Sequence, residues 1–332
     1  MEKEELEFKK GVRCIMGLLH NIRHPIKAYN NYLAQEKKVT RPNGEDPETT
    51  YYVIRCNLPE CGFFAIYMYI LDHLAWAEDH GYVPVLDIER YECLYKEKEP
   101  INNTTNPWYY YFQPLSKVSL EDCKRKKNVI YGAIKYLHYK AIYYYRDREK
   151  NVLPDSEQIS ELHQLAEKYM KLRPEIAELL DERKKLLSCY GSALGVHVRG
   201  TDMYTEGKQH PIPTGKTKDF SLIDEIIEKH NVEGIFLCTD TESTVQLFRE
   251  KYGEKVVTID AVRQVDDSGT GIHKDKTLGG ERLNHKYLLG IEVLTDMYVL
   301  ANCNVLMCGP SNVPFTALIN NDNKYDAVYY FA

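Results

Sequence analysis

Residues that could bind a phosphate follow an apolar segment in the second half of the 332-residue chain. The segment 193–198 includes His197, and Arg199 and Asp202 come directly after it. A short apolar run closed by glycine and charged residues is typical of a core strand that ends at a site. Arginine can make bidentate contacts with phosphate oxygens. These residues therefore predict an anion site at the end of a strand, with a structural ion pair between Arg199 and Asp202 as the alternative.

Three further predicted strands also end in polar residues, which are Asp240, Asp260, Ser311 and Asn312. Because ligands of open α/β sheets bind outside the carboxyl ends of the strands, these side chains should converge with Arg199. Ser311 and Asn312 precede a predicted helix, whose N-terminal amides and dipole favour an anion. An arginine that faces such a helix predicts a nucleotide-diphosphate site. In that site Asp240 or Asp296 would accept hydrogen bonds from a base or a ribose.

Each of these residues also has a purely structural interpretation. His197 taken alone is expected to be a satisfied core histidine. Asp240 could be the N-cap of the helix that follows it, and Ser311 and Asn312 could cap the last helix. The ligand-site hypothesis depends on the coincidence of several such groups at one edge of a sheet.

The order of the predicted elements in the first half indicates an α/β fold. Segments 51–56 and 83–87 have the composition of strands, and a helix over 64–80 lies between them, closed by Gly81. This arrangement is the β-α-β unit that opens a parallel sheet. Segment 34–50 is polar and is interpreted as a linker or an exposed loop.

The second half alternates strands and helices as far as its end, as in a doubly wound sheet. A long helical stretch, which Pro174 kinks or splits, precedes it. The sequence therefore predicts two domains, residues 1–190 and residues 191–332. Within the first domain, 1–50 would be a helical or loop lead-in and 154–187 would be the connecting helices.

Composition excludes several classes of protein. The chain is 43% apolar and 28% charged, and its net charge of −6 disfavours a general nucleic-acid binder. The nine cysteines have neither zinc-site nor disulfide spacing, and no P-loop or dinucleotide-binding glycine motif occurs. We expect a reduced, cytoplasmic protein, because neither a signal peptide nor a run of about 18 apolar residues is present. Peripheral membrane association is left open.

Tyrosine is abundant, with 27 residues, and forms clusters such as those at 108–112 and 143–145. Aromatic side chains of this kind are expected to be packing residues. Stacking against a carbohydrate is the alternative function for them.

The segment His197-Val198-Arg199-Gly200-Thr201-Asp202 resembles the H-V-R-R-T-D motif of the α1,6-fucosyltransferases. This family includes the eukaryotic core-fucosylating enzyme and the bacterial nodulation fucosyltransferase, and protein O-fucosyltransferases are more distant relatives. The resemblance covers 190–332 in order, and its further positions are Glu206, His210-Pro211-Ile212, Thr239-Asp240, 268–273, Asp296, 306–312 and 329–331. The first half matches only loosely, at 59–63.

The resemblance implies a GT-B-like fold, in which two Rossmann-like doubly wound domains enclose a cleft. Residues 1–190 would then be the acceptor-side domain, and 191–332 would bind the nucleotide sugar. It also implies a GDP-fucose donor and an inverting transfer of L-fucose to a glycan hydroxyl, with no metal or other cofactor. The setting that fits best is the synthesis of a bacterial surface polysaccharide or glycoconjugate.

The family's functional residues can be carried over only to matching positions. Arg199 would bind the β-phosphate and stabilise the departing GDP. Glu206 is the candidate general base, with Asp202 as the alternative; Asp202 could otherwise orient Arg199 or the sugar. The positions that would bind the donor are His197, Asp240, His273, Asp296, Ser311 and Asn312. Among these, His197 and Asp296 would contact the guanine, and Ser311 and Asn312 would hold phosphate through their backbone amides.

Two positions depart from the family pattern. Gly200 stands where the family often has a second arginine, and Met203 stands where it tends to have lysine. Both departures leave the acceptor and the linkage open. Two alternatives therefore accompany the prediction: a glycosyltransferase that uses another nucleotide sugar, and a catalytically silent protein that binds a nucleotide sugar.

Overall fold

A computed structural model of the chain describes residues 33–140, 153–199, 220–265, 282–309 and 311–330. The strands of the described ranges form two sheets, one in each half of the chain. The architecture is a mixed α/β fold, as predicted.

The first sheet has four strands in the order β1-β4-β2-β3. Their bounds are β1 Lys37–Thr40, β2 Glu45–Arg55, β3 Val83–Asp87 and β4 Lys126–Tyr131. Helix α1, Phe63–Asp79, connects β2 to β3, which confirms the predicted β-α-β unit. β2 is parallel to β3 and to β4, whereas β1 runs antiparallel to β4. The sheet is therefore mixed, and in this it differs from the doubly wound parallel sheet predicted for this half.

The prediction of a linker or loop at 34–50 is wrong, because β1 and the first part of β2 lie in this segment. Both pieces are exposed along most of their length. Lys126 of the neighbouring strand β4 forms ion pairs with Glu45, at 3.0 Å, and with Asp46, at 2.6 Å. A strand exposed to water on this scale has the polar composition of a loop, which is why the sequence pattern misled.

Helix α1 is buried around most of its circumference, as expected for a helix that is apolar on all sides. Its partners include the aromatic turn at 108–112, where Trp108, Tyr110, Tyr111 and Phe112 are each at most 2% exposed. The rings of Phe63 and Tyr111 meet edge to face, with centroids 5.0 Å apart. The packing function predicted for this cluster is confirmed for these four residues, and Tyr109 alone in the turn is half-buried.

The second sheet consists of five parallel strands in the order β7-β6-β5-β8-β9. They are β5 Ala193–Val198, β6 Gly234–Thr239, β7 Val256–Val257, β8 Val305–Cys308 and β9 Ala327–Tyr330. The first of these strands in the chain, β5, lies in the middle of the sheet. The chain then adds β6 and β7 on one side and β8 and β9 on the other, so the boundary between β5 and β8 is the switch point of a doubly wound sheet. The doubly wound prediction for the second half is therefore confirmed.

Helices cover both faces of this sheet. They are α4 Ser221–Lys229, α5 Glu242–Tyr252, α6 His285–Ala301 and α7 Asn312–Asn321. Leu194 and Val196 of β5 pack in one cluster with apolar residues of α4 and α5, whereas Leu306 of β8 packs in another with α6 and α7. Alternate residues of each strand thus face different helix pairs.

Two helices link the halves, α2 Ser156–Tyr169 and α3 Pro174–Lys184, and Pro174 begins the second of them as its first residue. The predicted split at this proline is confirmed. His163 of α2 donates a hydrogen bond to the Ile319 carbonyl of α7, at 2.9 Å. Tyr298 of α6 donates to Asp181 of α3, at 3.0 Å. One apolar core extends over residues of both halves, and the division into two domains at residue 190 stays a prediction.

Among the described residues, no helix combines the length and the apolar character needed to cross a membrane.

Candidate active site

The polar residues at the strand ends lie on the side of the sheet that α6 covers. On β5, Leu194 and Val196 point to the α4–α5 face, so the alternation of a strand turns His197 and Arg199 toward α6. The same alternation on β6 turns Cys238 and Asp240 to this side. His197 is directly opposite Cys238 in the parallel register. Four functional side chains thus come to one end of two neighbouring strands.

A glycine sets how closely α6 approaches these strands. A Cβ atom on Gly195 would lie 2.9 Å from Leu300 and 3.1 Å from the Cys303 sulfur. Because glycine has no side chain there, the helix can pack directly on β5. Its Asp296 is thereby brought over the carboxyl ends of β5 and β6.

Arg199 and Asp240 form an ion pair across these two strand ends, with Nε and Oδ2 3.7 Å apart. The arginine side chain is 30% exposed and the aspartate 13%, so the guanidinium can reach a ligand while the carboxylate fixes it from behind. The structure thus shows that Asp240 is one carboxylate that orients Arg199. The interpretation of Asp240 as a helix N-cap is wrong, because Thr241 is the N-cap of α5.

His197 is buried, and its imidazole is held in the neutral form. Burial and, to a smaller extent, the neighbouring Arg199 charge lower its pKa to about 3. A neutral imidazole offers one donor and one acceptor, and it cannot repel a cationic neighbour. This histidine is therefore suited to hydrogen bonding rather than to acid–base chemistry near neutral pH.

Asp296 is the most perturbed carboxyl group of the site. Burial raises its pKa to about 7, and the Arg263 charge and a hydrogen bond with the Cys238 thiol act in the opposite direction. Its Oδ1 atom is closed off from solvent and has no hydrogen-bond partner. A buried acceptor without a partner is rare in proteins and calls for an explanation such as a ligand.

Arg263 was not predicted from the sequence. It lies after β7, where its Nη2 donates to the Ile259 carbonyl, at 2.7 Å, and its Nε is buried without a partner. The segment that carries it is tied to the strand ends, because Gln264 donates its backbone N–H to the Asp240 carbonyl, at 2.9 Å. A charged residue soon after a predicted strand was the signal that could have identified Arg263.

The predicted polar strand end at Asp260 lies beside this segment. Asp260 and Arg263 line a cavity of about 290 Å³ together with Glu242 and Arg249. Asp260 therefore lies at the outer edge of the sheet, apart from the pair formed by Arg199 and Asp240.

Helix α6 carries a second carboxylate on the turn before Asp296. Glu292, one turn before Asp296, forms an ion pair with Arg282. The Arg282 Nε and the His285 Nδ1 are both buried without a partner. Burial and the Arg282 charge lower the pKa of His285. Charged groups of both signs thus extend from the Arg199–Asp240 pair past Asp296 to the Arg282–Glu292 pair.

Ser311 and Asn312 follow β8, which is the neighbour of β5 across the switch point. Val196 of β5 lies opposite Met307 of β8. Arg199 comes three residues after Val196, and Ser311 comes four residues after Met307, so both follow the same end of the two paired strands. Ser311 is the N-cap of α7, but its side chain makes no capping hydrogen bond. Ser311 therefore occupies the capping position of α7, as the structural alternative predicted, but its side chain does not cap the helix.

The first half also borders this site. Tyr95 accepts a hydrogen bond from the Phe63 backbone N–H at the start of α1, at 2.9 Å. Burial raises the pKa of Tyr95, and the positive charge of Arg199 partly offsets this increase. Arg199 thus lies within electrostatic reach of Tyr95, which belongs to the loop after β3.

Three predicted site residues, Asp202, Glu206 and His273, lie outside the described residues. Their assigned roles stay predictions. Within the part of the chain that the structure describes, no group of three or more His, Cys, Asp or Glu residues is arranged to hold a metal ion.

No protein-family model and no curated protein matches the sequence. Among solved structures, the fucosyltransferase NodZ from Bradyrhizobium is similar, with 16% identity, a TM-score of 0.44, and coverage of 83% of this chain and 92% of that one. NodZ α1,6-fucosyltransferase soaked with GDP-fucose gives 17% identity and a TM-score of 0.45, covering 82% and 92%. POFUT1 in complex with GDP has 11% identity and a TM-score of 0.46, and the match covers 89% of this chain and 100% of that one. Similarity of this degree does not assign an activity, which the residues of the site must support.

Proposed function

We propose that this chain is a glycosyltransferase that moves L-fucose from GDP-fucose to a hydroxyl group of a glycan. The observation that carries the proposal is that the Arg199–Asp240 pair and the start of α7 both follow the carboxyl ends of neighbouring strands, at the switch point of a parallel sheet. A guanidinium and a helix N-terminus together favour a diphosphate. The resemblance of 197–202 to the α1,6-fucosyltransferase motif favours GDP-fucose as the donor.

In the proposed reaction, the bond between the sugar C1 and the β-phosphate oxygen breaks as the acceptor oxygen attacks from the opposite face. The configuration at C1 is therefore inverted. Negative charge develops on the departing diphosphate, and Arg199 stabilises it, helped by the backbone amides at the start of α7. The acceptor proton passes to Glu206, or to Asp202 as the alternative base. No metal takes part in this scheme, which a chelator tests directly.

The base of the nucleotide would be bound by the buried groups beside the phosphate site. The Asp296 carboxylate has an oxygen without a partner, and guanine carries N–H donors on its Watson–Crick edge. The neutral His197 would supply a further hydrogen bond. Uracil and adenine do not present the same pair of adjacent donors, so these contacts would favour GDP over UDP and ADP.

Calorimetric titration of the protein with GDP, UDP and ADP tests the donor before any acceptor is known. We expect GDP to bind at least about tenfold more tightly than the other two, a difference of one hydrogen-bonded contact. Preference for UDP would replace the proposal by a glycosyltransferase with another nucleotide sugar.

A second measurement distinguishes an enzyme from a silent binding protein. Release of GDP from GDP-fucose, with and without glycan acceptors and with a chelator present, should show turnover that the chelator leaves unchanged. GDP binding without transfer or donor hydrolysis would favour the silent alternative, for which Gly200 and Met203 are the motivating residues.

The cytoplasmic location and a function in bacterial surface glycan synthesis belong to the same proposal. Fractionation of cells that express the chain, followed by immunoblotting, would test the location.

A further inference from the structure

The first half contains a groove that none of the proposed donor chemistry uses. It has a volume of about 410 Å³, within the range of small-molecule sites. The tight turn 101–104, the aromatic turn 108–112 and the start of α3 enclose it. Its lining includes Asn102, Asn103, Tyr109, Phe112, Gln113 and Arg173.

The aromatic floor of the groove is an exception within the aromatic turn. Phe112 is 2% exposed and belongs to the core, but Tyr109 is half-buried and reaches the groove. The backbone beneath it is fixed, because the Asn106 side chain accepts the Trp108 N–H, at 3.0 Å. Arg173 also donates to the Tyr109 carbonyl, at 3.2 Å. The ring is thus presented on a rigid support.

Amide side chains form the rim. Asn102 and Asn103 are exposed and occupy left-handed backbone positions, with φ angles of 50° and 63°. The turn is closed by backbone hydrogen bonds in both directions between Ile101 and Thr104, each 3.0 Å long. Gln113 is held by its own side chain, which donates to the Leu172 carbonyl, at 2.8 Å.

The charge of the groove distinguishes it from the Arg199 site. Arg173 is the charged residue among those described that line it, and Glu175 forms an ion pair with it at 2.5 Å. The groove therefore offers little net charge to a phosphate. Its amides each supply both donors and acceptors, which match the hydroxyl groups of a neutral ligand.

We propose that this groove binds a neutral oligosaccharide, whose apolar sugar face stacks on Tyr109 while its hydroxyl groups bind Asn102, Asn103 and Gln113. Sugars combine a C–H face with a ring of hydroxyl groups, and an aromatic floor with an amide rim complements both features. Glycan binding here does not depend on the proposed function. The further statement that the bound glycan is the acceptor, or part of it, rests on that function.

The experiment uses the full chain on an array of neutral glycans, followed by saturation-transfer NMR with free chitotetraose and maltotetraose. Tyr109→Ala should weaken the retained glycan about tenfold. The paired change Asn102→Gly and Asn103→Gly removes both amides but keeps the turn, because glycine accepts these φ angles. It should weaken binding severalfold.

Asn231→Gly is the matched control, since Asn231 is also an exposed asparagine, with a φ of 50°, and lies at the end of α4. It should leave glycan binding unchanged. GDP titration and thermal melting of every variant report whether the fold and the donor site are intact.

Failure of the array to retain any neutral glycan would overturn the proposal. So would equal retention by the wild type, Tyr109→Ala and the paired glycine variant. If the wild type binds a neutral glycan but does not bind GDP, the proposed function is contradicted and the groove assignment stands.

Discussion

Each half of the molecule has a buried histidine together with an aspartate that has a carboxylate oxygen shielded from solvent, but the partners of these residues differ. In the first half, Asp72 and His73 of α1 are both fully buried. Asp72 accepts backbone hydrogen bonds from Tyr139 and Lys140, each at 3.0 Å. His73 Nε2 donates to the Lys135 carbonyl, at 3.1 Å, so its Nδ1 must accept the Tyr52 hydroxyl, at 2.8 Å.

In the second half, His197 lies near the end of β5, and Asp296 of α6 lies beside Cys238 of β6. Burial lowers the pKa of His73 to about 4 and that of His197 to about 3, so burial alone does not separate the two histidines. The difference lies in the partners. His73 is held by two other residues, whereas His197 hydrogen-bonds its own backbone, and Asp296 has a buried oxygen without a partner.

This contrast separates buried polar groups that hold the fold from those that await a ligand. A satisfied buried group stabilises one conformation, and its loss leaves the former partners without hydrogen bonds. An unsatisfied buried group lowers the stability of the free protein, and a ligand that forms a hydrogen bond with this group restores the lost stability. Substitutions in the two places should therefore have opposite consequences for stability and binding.

The largest expected effect follows from Arg199→Ala. If Arg199 stabilises the departing diphosphate as proposed, its removal should lower the transfer rate about 10²–10³-fold, with the melting temperature nearly unchanged. GDP-fucose turnover measures the effect, and Arg183→Ala on the exposed side of α3 is the control. Near-normal turnover of the Arg199 variant would remove this residue from the reaction.

Asp72→Ala should have the opposite character. It leaves the Tyr139 and Lys140 amides without their acceptor, so the free energy of unfolding should fall by roughly 3–5 kcal/mol. Urea denaturation gives this value. Asp79→Ala is the matched control, because Asp79 lies on the same helix and binds the same segment at the surface, through Lys140 at 3.0 Å. A comparable loss in both variants would mean that burial is irrelevant here.

Asp296→Asn should stabilise the free protein at pH 8. The folded-state pKa of about 7 lies above the ordinary value of 3.8, so ionisation of Asp296 opposes folding. This penalty is absent below pH 3.8, grows between 3.8 and 7, and is complete above 7. The gain should be on the order of 2 kcal/mol at pH 8 and should vanish near pH 4. Asp326→Asn on the surface is the control and should leave the free energy of unfolding unchanged at both pH 8 and pH 4.

The strand ends of this site follow from the sequence, because the carboxyl ends of parallel strands must share one edge. Arg199, Asp240 and Ser311 could therefore be placed together without a structure. The ion pair between Arg199 and Asp240 could not be predicted, since no spacing along the chain relates the two residues.

Other features depend on contacts that no local pattern records. Asp296 meets Cys238 only because Gly195 allows α6 to lie close to β5, and Arg263 arrives from a loop after a two-residue strand. Strand β1 was missed because water-exposed strands are polar. The core that spans both halves arises from side chains distant in sequence, so the apolar spacing of each segment could not indicate it.

The pH dependence of donor binding sharpens the contrast for Asp296. In the proposed contact, the ionised Asp296 carboxylate accepts the guanine N–H groups, whereas a protonated carboxyl group has lost part of this capacity. Affinity for GDP-fucose should therefore rise by up to about tenfold between pH 6 and pH 8, with a midpoint near the pKa of about 7. GDP-fucose is the suitable probe because, unlike GDP, it has no terminal phosphate that titrates near pH 6.

Asp296→Asn should bind GDP-fucose with the same affinity at both pH values, and Asp326→Asn should keep the wild-type slope. A slope that survives in Asp296→Asn would assign the titration to another group of the site.

The smallest expected effect concerns the satisfied pair in the first half. Tyr52→Phe keeps the ring, which is 1% exposed, and removes only the hydroxyl that donates to His73 Nδ1. A single hydrogen bond of this kind contributes about 1 kcal/mol, so the urea midpoint should fall slightly. Affinity for GDP should not change, because His73 is part of the fold and not of the site. A reduced GDP affinity in this variant, with stability unaltered, would mean that partner satisfaction does not separate the two histidines.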